Sequence, residues 1–415
     1  MTTRLKFRLL LTFVFLESAA SVLIQRSLYF FTHDRLQFSD RQNLLLALGA
    51  GVLYVLGALP SHRLARALGQ RRAVLVLLAA QAAVLVGVTL IGRPWAVVAL
   101  AMVFAGLLGA MWPMVESFAS AGYSPSQTQR IVGYYNMAWS TALPVGLLIA
   151  GWLIQSLGFR LFLVPAVVAV VGGGLILSQP AEPTHQAHDH PDRPTPLQAR
   201  TLRGLMLSSR WSMIASYALS FVLTPLLPGI FTRLGYGVIA ATMLASVLDS
   251  GRPVAFLCML LTPRWHGRRD LLALAAVALP VGFLMVLAGG SWGGGSGVSS
   301  GVNSGGGSGG GIGLVLGGEL LFGLAAGVAY YAALYYAMVV GNASVDAGGA
   351  HEALIGSGFA GGPLCALVGQ WLGGTIGQVM LGVALGVGPL MALCLGGGLW
   401  PLVPRRAQPS RPGTG

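Results

Sequence analysis

Apolar residues run along this chain in long blocks, separated by short clusters of Arg, Gly, Pro, Ser and His. A helix that crosses the hydrocarbon core of a bilayer needs ~20 mostly apolar residues. Blocks of that kind lie near 8–31, 43–60, 73–92, 95–120, 130–155, 160–178, 210–232, 237–262, 271–289, 312–340, 354–373 and 376–403. The pattern predicts an all-α membrane protein with twelve transmembrane helices. The first block imitates a signal peptide, with Arg4, Lys6 and Arg8 ahead of an apolar run and Ser18-Ala-Ala-Ser21 resembling a cleavage site. Its length, the Glu17 inside it and the blocks that follow favour a retained helix.

Composition agrees. Hydrophobic residues make up 55% of the 415 and charged residues only 9%, whereas a soluble protein carries roughly a quarter charged. Soluble domains are excluded on that ground. The net charge of +13 would suggest nucleic acid in a soluble protein; in a membrane protein the first explanation to test is topology. With the N-terminus inside, most of the 25 basic residues fall in cytoplasmic segments. The exceptions are Arg35, Arg41, Arg93, Arg160 and Arg233 in outer loops, and Arg26 and Arg252 within helices. The bias places both termini in the cytoplasm of a multi-pass inner or plasma membrane protein, and no nucleic-acid partner is needed. Cys258, Cys365 and Cys394 sit in apolar runs without C-x-x-C spacing and read as small buried hydrophobes.

The one long polar segment, Gln179 to Leu207, divides the blocks six and six. The domain reading is therefore a first six-helix bundle over 1–178, a cytoplasmic linker over 179–208, a second bundle over 209–403 and a tail over 404–415. Internal similarity supports the division. The second helix ends Gly57-Ala-Leu-Pro60-Ser61-His62-Arg63 and runs on to Gly69-Gln70-Arg71-Arg72; the eighth ends Pro263-Arg264-Trp265-His266-Gly267-Arg268-Arg269. The fifth helix carries Ala142 and Gly146, the eleventh Gly358 and Gly362, both pairs four residues apart. Small residues at that spacing let helix backbones approach closely.

The stretch with Gly57, Ser61, His62, Gly69, Arg71 and Arg72 resembles the signature between the second and third helices of the major facilitator superfamily, with Ser61 in place of the usual acid. The run Gly133–Gly151 is similar to the fifth-helix motif of that family's antiporters, with Leu147 at the proline position and Pro144 nearby. A Gly362-Pro363 step recurs in the eleventh helix. The resemblance implies two pseudo-symmetric six-helix bundles around a cavity that opens alternately to either side. It also implies that the first, fourth, seventh and tenth helices line that cavity.

Ionisable residues inside spans are costly and mark candidate functional positions. They are Glu17 and Arg26 in the first helix, Glu116 in the fourth, Asp249 and Arg252 in the eighth and Glu319 in the tenth. Burial favours the neutral form of a carboxyl group, which suits Glu17 to proton coupling; a structural hydrogen bond is the competing reading. Asp249 and Arg252, three residues apart, share a helix face. Either they neutralise each other, or Arg252 offers its fork to an anionic or hydroxylated substrate while Asp249 orients it. Arg26 either contacts substrate or snorkels to the outer surface. Glu116, toward the cytoplasmic end, joins Arg63, Arg71 and Arg72 as candidate gating residues.

Aromatic and amide side chains complete the candidate substrate site: Trp112, Asn136, Tyr331 and Tyr335, the two tyrosines one turn apart. Pro113 and Pro225 are expected kink points. The group His185, His188, Asp189 and His190 lies in the solvated linker, and metal is not expected there. The Gly- and Ser-rich run over 289–311 reads as a flexible loop. No G-x-x-x-x-G-K-[ST] is present, which argues against ATP-driven transport. His351-Glu352 reads as a solvated N-terminal turn. The expected function is secondary-active transport of a small molecule by a monomer without a cofactor, with a proton as candidate co-substrate. A small polar or anionic metabolite and an amphipathic drug both fit as cargo. The alternative is a non-transporting membrane sensor or assembly factor on the same fold. An enzyme is not expected, because no catalytic constellation falls within the spans.

Overall fold

A computed structural model describes residues 3–120, 125–183, 196–292, 308–340, 345–372 and 376–399. The His-rich stretch 185–190, the centre of the Gly/Ser loop, the Cys394 side chain and the C-terminal tail lie outside them. Among the described residues every regular element is helical. In chain order the helices are α1 (Thr3–Gln25), α2 (Ser27–Leu36), α3 (Asp40–Ala58), α4 (Ser61–Leu68), α5 (Gln70–Ile91), α6 (Pro94–Ser120) and α7 (Pro125–Leu157). They continue with α8 (Leu163–Ile176), α9 (Pro196–Arg233), α10 (Val238–Leu261), α11 (Arg269–Trp292), α12 (Ser308–Val340), α13 (Val345–Trp371) and α14 (Ile376–Leu399).

Each apolar block falls on a helix, and ten helical stretches among the described residues are long and apolar enough to cross a membrane. The expected fifth and sixth segments form one such stretch, Arg130–Ile176, because α7 turns at Gly158 into a short 3-10 helix that leads straight into α8. Gly158 has φ +53, a conformation that costs a residue without Cβ little. The last block contributes a shorter apolar helix, Val379–Pro389. Large apolar side chains such as Leu56, Val76, Val170, Leu274 and Leu385 are exposed on the outside, as expected where lipid replaces water as the solvent. Cys258 is exposed among them rather than buried.

Two breaks interrupt the early part of the chain. Helix α1 gives way to α2 at Arg26 (φ −115, ψ −58). Helix α3 begins with a capping box, in which the Gln42 amide N–H donates to Ser39 Oγ (3.3 Å) and the Ser39 N–H donates to Gln42 Oε1 (2.8 Å). Pro113 lies inside α6 and Pro225 inside α9, each removing one backbone hydrogen bond.

Without a hydrophobic drive between helices in lipid, close backbone packing must hold them together. The two small-residue pairs do this at matching places. A Cβ on Gly146 of α7 would come within 3.1 Å of the Ala19 carbonyl oxygen on α1, and one on Gly358 of α13 within 2.7 Å of the Ile214 carbonyl oxygen on α9. On Gly362 it would land on the Ala218 carbonyl group. Helices from the first and second halves of the chain also meet directly: α3 packs on α13, and α7 on α10. A Cβ on Gly51 of α3 would collide with the backbone of Phe359 and Ala360.

These contacts separate two neighbouring glycines. Gly362→Ala forces α13 away from α9 and is expected to lose ~1–3 kcal/mol of stability. Gly361→Ala meets open space and should hold or raise the melting temperature, since Ala favours helix. Thermal unfolding of the two variants in detergent compares them directly.

Candidate functional site

A cavity of about 100 Å³ lies between helices from both halves of the chain. The α1–α2 break contributes Ser18, Ser21, Gln25 and Arg26, and α6 contributes Trp112 and Glu116. Tyr217 and Phe221 of α9 and Tyr330 of α12 add aromatic walls. These helices hold the first, fourth, seventh and tenth apolar blocks, as the resemblance implied. The cavity also takes Tyr54 from α3, Tyr135 and Trp139 from α7, Arg252 from α10, and Glu352 and Phe359 from α13.

One wall is built on Asp249. This fully buried carboxylate has its Oδ1 3.5 Å from Arg26 Nη2 and 3.6 Å from Arg252 Nη1. The neutralisation reading is therefore incomplete, because one acid serves two guanidinium groups. Arg26 does not snorkel. The break after Gln25 turns it inward, where Nη1 donates to Ser220 Oγ (3.0 Å) and to Thr224 Oγ1, and its guanidinium lies 5.2 Å from the centre of the Phe221 ring. Ser220 and Thr224 belong to a run of hydroxyl residues every fourth position on α9, beginning Ser208, Ser212 and Ser216, all buried. That four-residue repeat forms a polar stripe winding slowly around the helix, legible in the sequence but without an ionisable residue to mark it.

The other polar group is a carboxyl pair. Glu116 of α6 and Glu352 of α13 hydrogen-bond to each other, and the Tyr54 hydroxyl donates to Glu352 Oε2. Two carboxyl groups can share a hydrogen bond only if one carries a proton. The reading of His351-Glu352 as a solvated turn is overturned. Helix α13 starts at Val345, so both residues sit well inside it, with only 2% and 4% of their surfaces exposed. His351 packs edge-on to Tyr330 with ring centres 5.7 Å apart.

Several expected residues lie elsewhere. Glu17 is buried close to Gly172 of α8, is not among the cavity-lining residues, and its Oε2 has no hydrogen-bond partner. Glu319 is buried near Asp249, off the cavity wall, and neither of its oxygens is hydrogen-bonded. Asn136 is buried behind the wall, its Oδ1 accepting from the Trp139 indole N–H at 2.9 Å. Tyr331 and Tyr335 do not line the cavity; Tyr330 does. One residue is about 100° of helix rotation, enough to turn Tyr331 and Tyr335 onto the 263–267 connection. There Tyr335 stacks on His266 (4.5 Å) and meets Trp265 edge-on (5.0 Å). Burial in that contact pulls the His266 imidazole below its usual pKa.

Of the gating candidates, Glu116 is in the cavity. Arg71 ties down the chain after α8, donating from Nη1 to the Gln179 carbonyl (2.8 Å), while Arg63 and Arg72 are exposed. At the opposite end of the molecule, Arg233 pairs with Asp40 (3.3 Å), and Thr232 lies in hydrogen-bond contact with His33 (3.3 Å). These contacts join α9 to α2 and α3.

The family model of the Major Facilitator Superfamily matches residues 10–318, and the chain belongs to that family. It is a multi-pass membrane protein of a transporter family. Its fold is similar to that of the human organic anion transporter MFSD10 (TETRAN), with TM-score 0.64 and 14% identity over 95% of this chain and 100% of that one. It is likewise similar to the nucleoside transporter NupG, with TM-score 0.60 and 14% identity over 94% of this chain and 98% of that one. No curated protein sequence matches.

Removing the shared acid should cost more than removing an idle hydroxyl. Asp249→Asn leaves two buried guanidinium groups facing each other and is expected to destabilise the protein by ~3–5 kcal/mol. Tyr331→Phe removes a buried hydroxyl without a partner and should change stability by no more than about 0.5 kcal/mol. Melting temperatures of the purified variants distinguish the two.

Proposed function

We propose that this protein is a secondary-active transporter of small organic molecules. In this reading twelve helices form two six-helix bundles that rock around the central cavity. The observation that carries it is the cavity itself: helices from both halves of the chain supply its polar and aromatic walls. The matched packing of Gly146 on α1 and of Gly358 and Gly362 on α9 supports equivalent bundles. The solved structures with the same fold are named for organic anions and for nucleosides, both small organic cargoes. The distribution of basic residues supports cytoplasmic termini in an inner or plasma membrane. In this reading the Arg233–Asp40 end faces outward, and its contacts between the two halves would part when the cavity opens to that side. The working unit is a monomer.

Proton coupling resides, in our reading, at Glu116 and Glu352 rather than at Glu17. The pair lines the cavity and joins a helix of the first half to one of the second, whereas Glu17 lies off the cavity beside α8. Loss of the shared proton replaces a hydrogen bond with two facing carboxylates, which repel and loosen that contact between halves. Gain of the proton restores it.

Proteoliposomes loaded with a pH-sensitive dye test this when a panel of metabolites is added outside. Substrate-driven proton movement is expected in the wild type and in Glu17→Gln. It should be lost in Glu352→Gln and in Glu116→Gln, with substrate still bound. Proton movement that persists in both cavity variants but disappears in Glu17→Gln would return the coupling role to α1.

A further inference from the structure

Arg252 is the one cavity cation whose hydrogen-bonding capacity is unused. Its side chain is 4% exposed, and Asp249 Oδ1, 3.6 Å from Nη1, is its ion-pair partner among the described residues. No hydrogen bond to its five donors occurs among the described residues, although the guanidinium lines the cavity. Arg26 differs. Two hydroxyl groups, Asp249 and the Phe221 ring already occupy it. A buried guanidinium with idle donors is costly unless something fills them, and the group that matches its planar fork is a carboxylate or a similar oxyanion.

Two further features point the same way. Ser21 Oγ lines the cavity, is buried and has no hydrogen-bond partner, so a second polar group is free to meet a ligand. Of the charged groups at the Asp249 wall, Arg26 and Arg252 line the cavity whereas Asp249 and Glu319 do not, so a ligand there meets the two guanidinium groups first. Around it stand flat rings: Tyr217, whose ring centre is 5.4 Å from the Arg252 guanidinium, and Trp139 and Tyr330, which meet edge-on at 4.9 Å. These rings line the cavity and offer an apolar, aromatic surface to whatever occupies it.

We propose that the cavity selects small aromatic oxyanions, chiefly carboxylates, with Arg252 binding the acid group and Asp249 and Arg26 positioning it. The proposal rests on the transporter reading for its purpose but not for its test. A cationic head would seek Glu116 and Glu352 instead, and this outcome is one arm of the experiment.

The full chain in nanodiscs is titrated at pH 7.5 with benzoate, benzenesulfonate, benzamide and benzylamine, read by tryptophan fluorescence and melting temperature. Both anions are expected to bind at least tenfold more tightly than the amide or the amine. Arg252→Gln should lose at least tenfold in affinity for both anions, and Arg252→Lys should fall between, since it restores the charge without the fork. Asp249 keeps Arg26 as partner in both variants, and their melting temperatures without ligand report that they fold. Benzylamine or benzamide binding as tightly as benzoate would overturn the proposal. So would binding of none of the four, or unchanged anion affinity in a folded Arg252→Gln protein. Flux of the same probes into vesicles separates the two readings. An amine that is bound and moved leaves the transporter and removes the anion site; anions that bind but never cross leave the site and remove the transporter.

Discussion

Asp249 is the constraint around which the polar interior is arranged. A carboxylate within a membrane-spanning helix has no water to turn to, so its charge must be met by protein groups. Here it is met by Arg252 three residues along the same helix and by Arg26 from the far end of the sequence. That demand draws the α1–α2 break inward, engages the hydroxyl face of α9, and holds helices from both halves of the chain against one another. The cavity wall follows from this arrangement, because Asp249 meets Arg252 by charge at 3.6 Å and not by a hydrogen bond, which leaves the donors of Arg252 to spare.

The carboxyl pair gives the cavity a second polar pole of a different kind. Arg26, Asp249 and Arg252 hold together by opposite charge. Glu116, Glu352 and Tyr54 hold together through a proton, and a proton can leave. Between these poles the wall is aromatic, and behind it the helices approach through glycine. Bulkier residues at Gly51, Gly358 or Gly362 would push apart the very helices that carry the cavity's polar groups.

The errors of the sequence reading have a common cause. Spotting buried charge was reliable for Arg26, Asp249 and Arg252, because an ionisable residue in the middle of an apolar block has few explanations, and Glu116 lines the cavity half-buried. Glu352 was missed because it lies where its apolar block begins, and only the start of α13 at Val345 places it inside. Tyr331 and Tyr335 share a face, as their spacing requires, but spacing does not say which way a face points. Tyr330, a rotation of about 100° away, took the position expected of them. Glu17 is buried as expected, yet beside α8 and not at the cavity.

By itself the sequence determined the class of molecule. Long apolar blocks with few charges can only be helices in lipid, since backbone groups there must be satisfied within each segment. It also determined which charges needed explaining, and the small-residue spacing at which backbones would meet. The tertiary structure decided partnership and direction: that one aspartate serves two arginines, that two glutamates from distant helices hydrogen-bond to each other, and that one tyrosine and not its neighbour faces the cavity. Those outcomes depend on the rotation and crossing of helices far apart in the chain. Helix phase within a segment is written in the sequence, but phase between segments is set only when they pack.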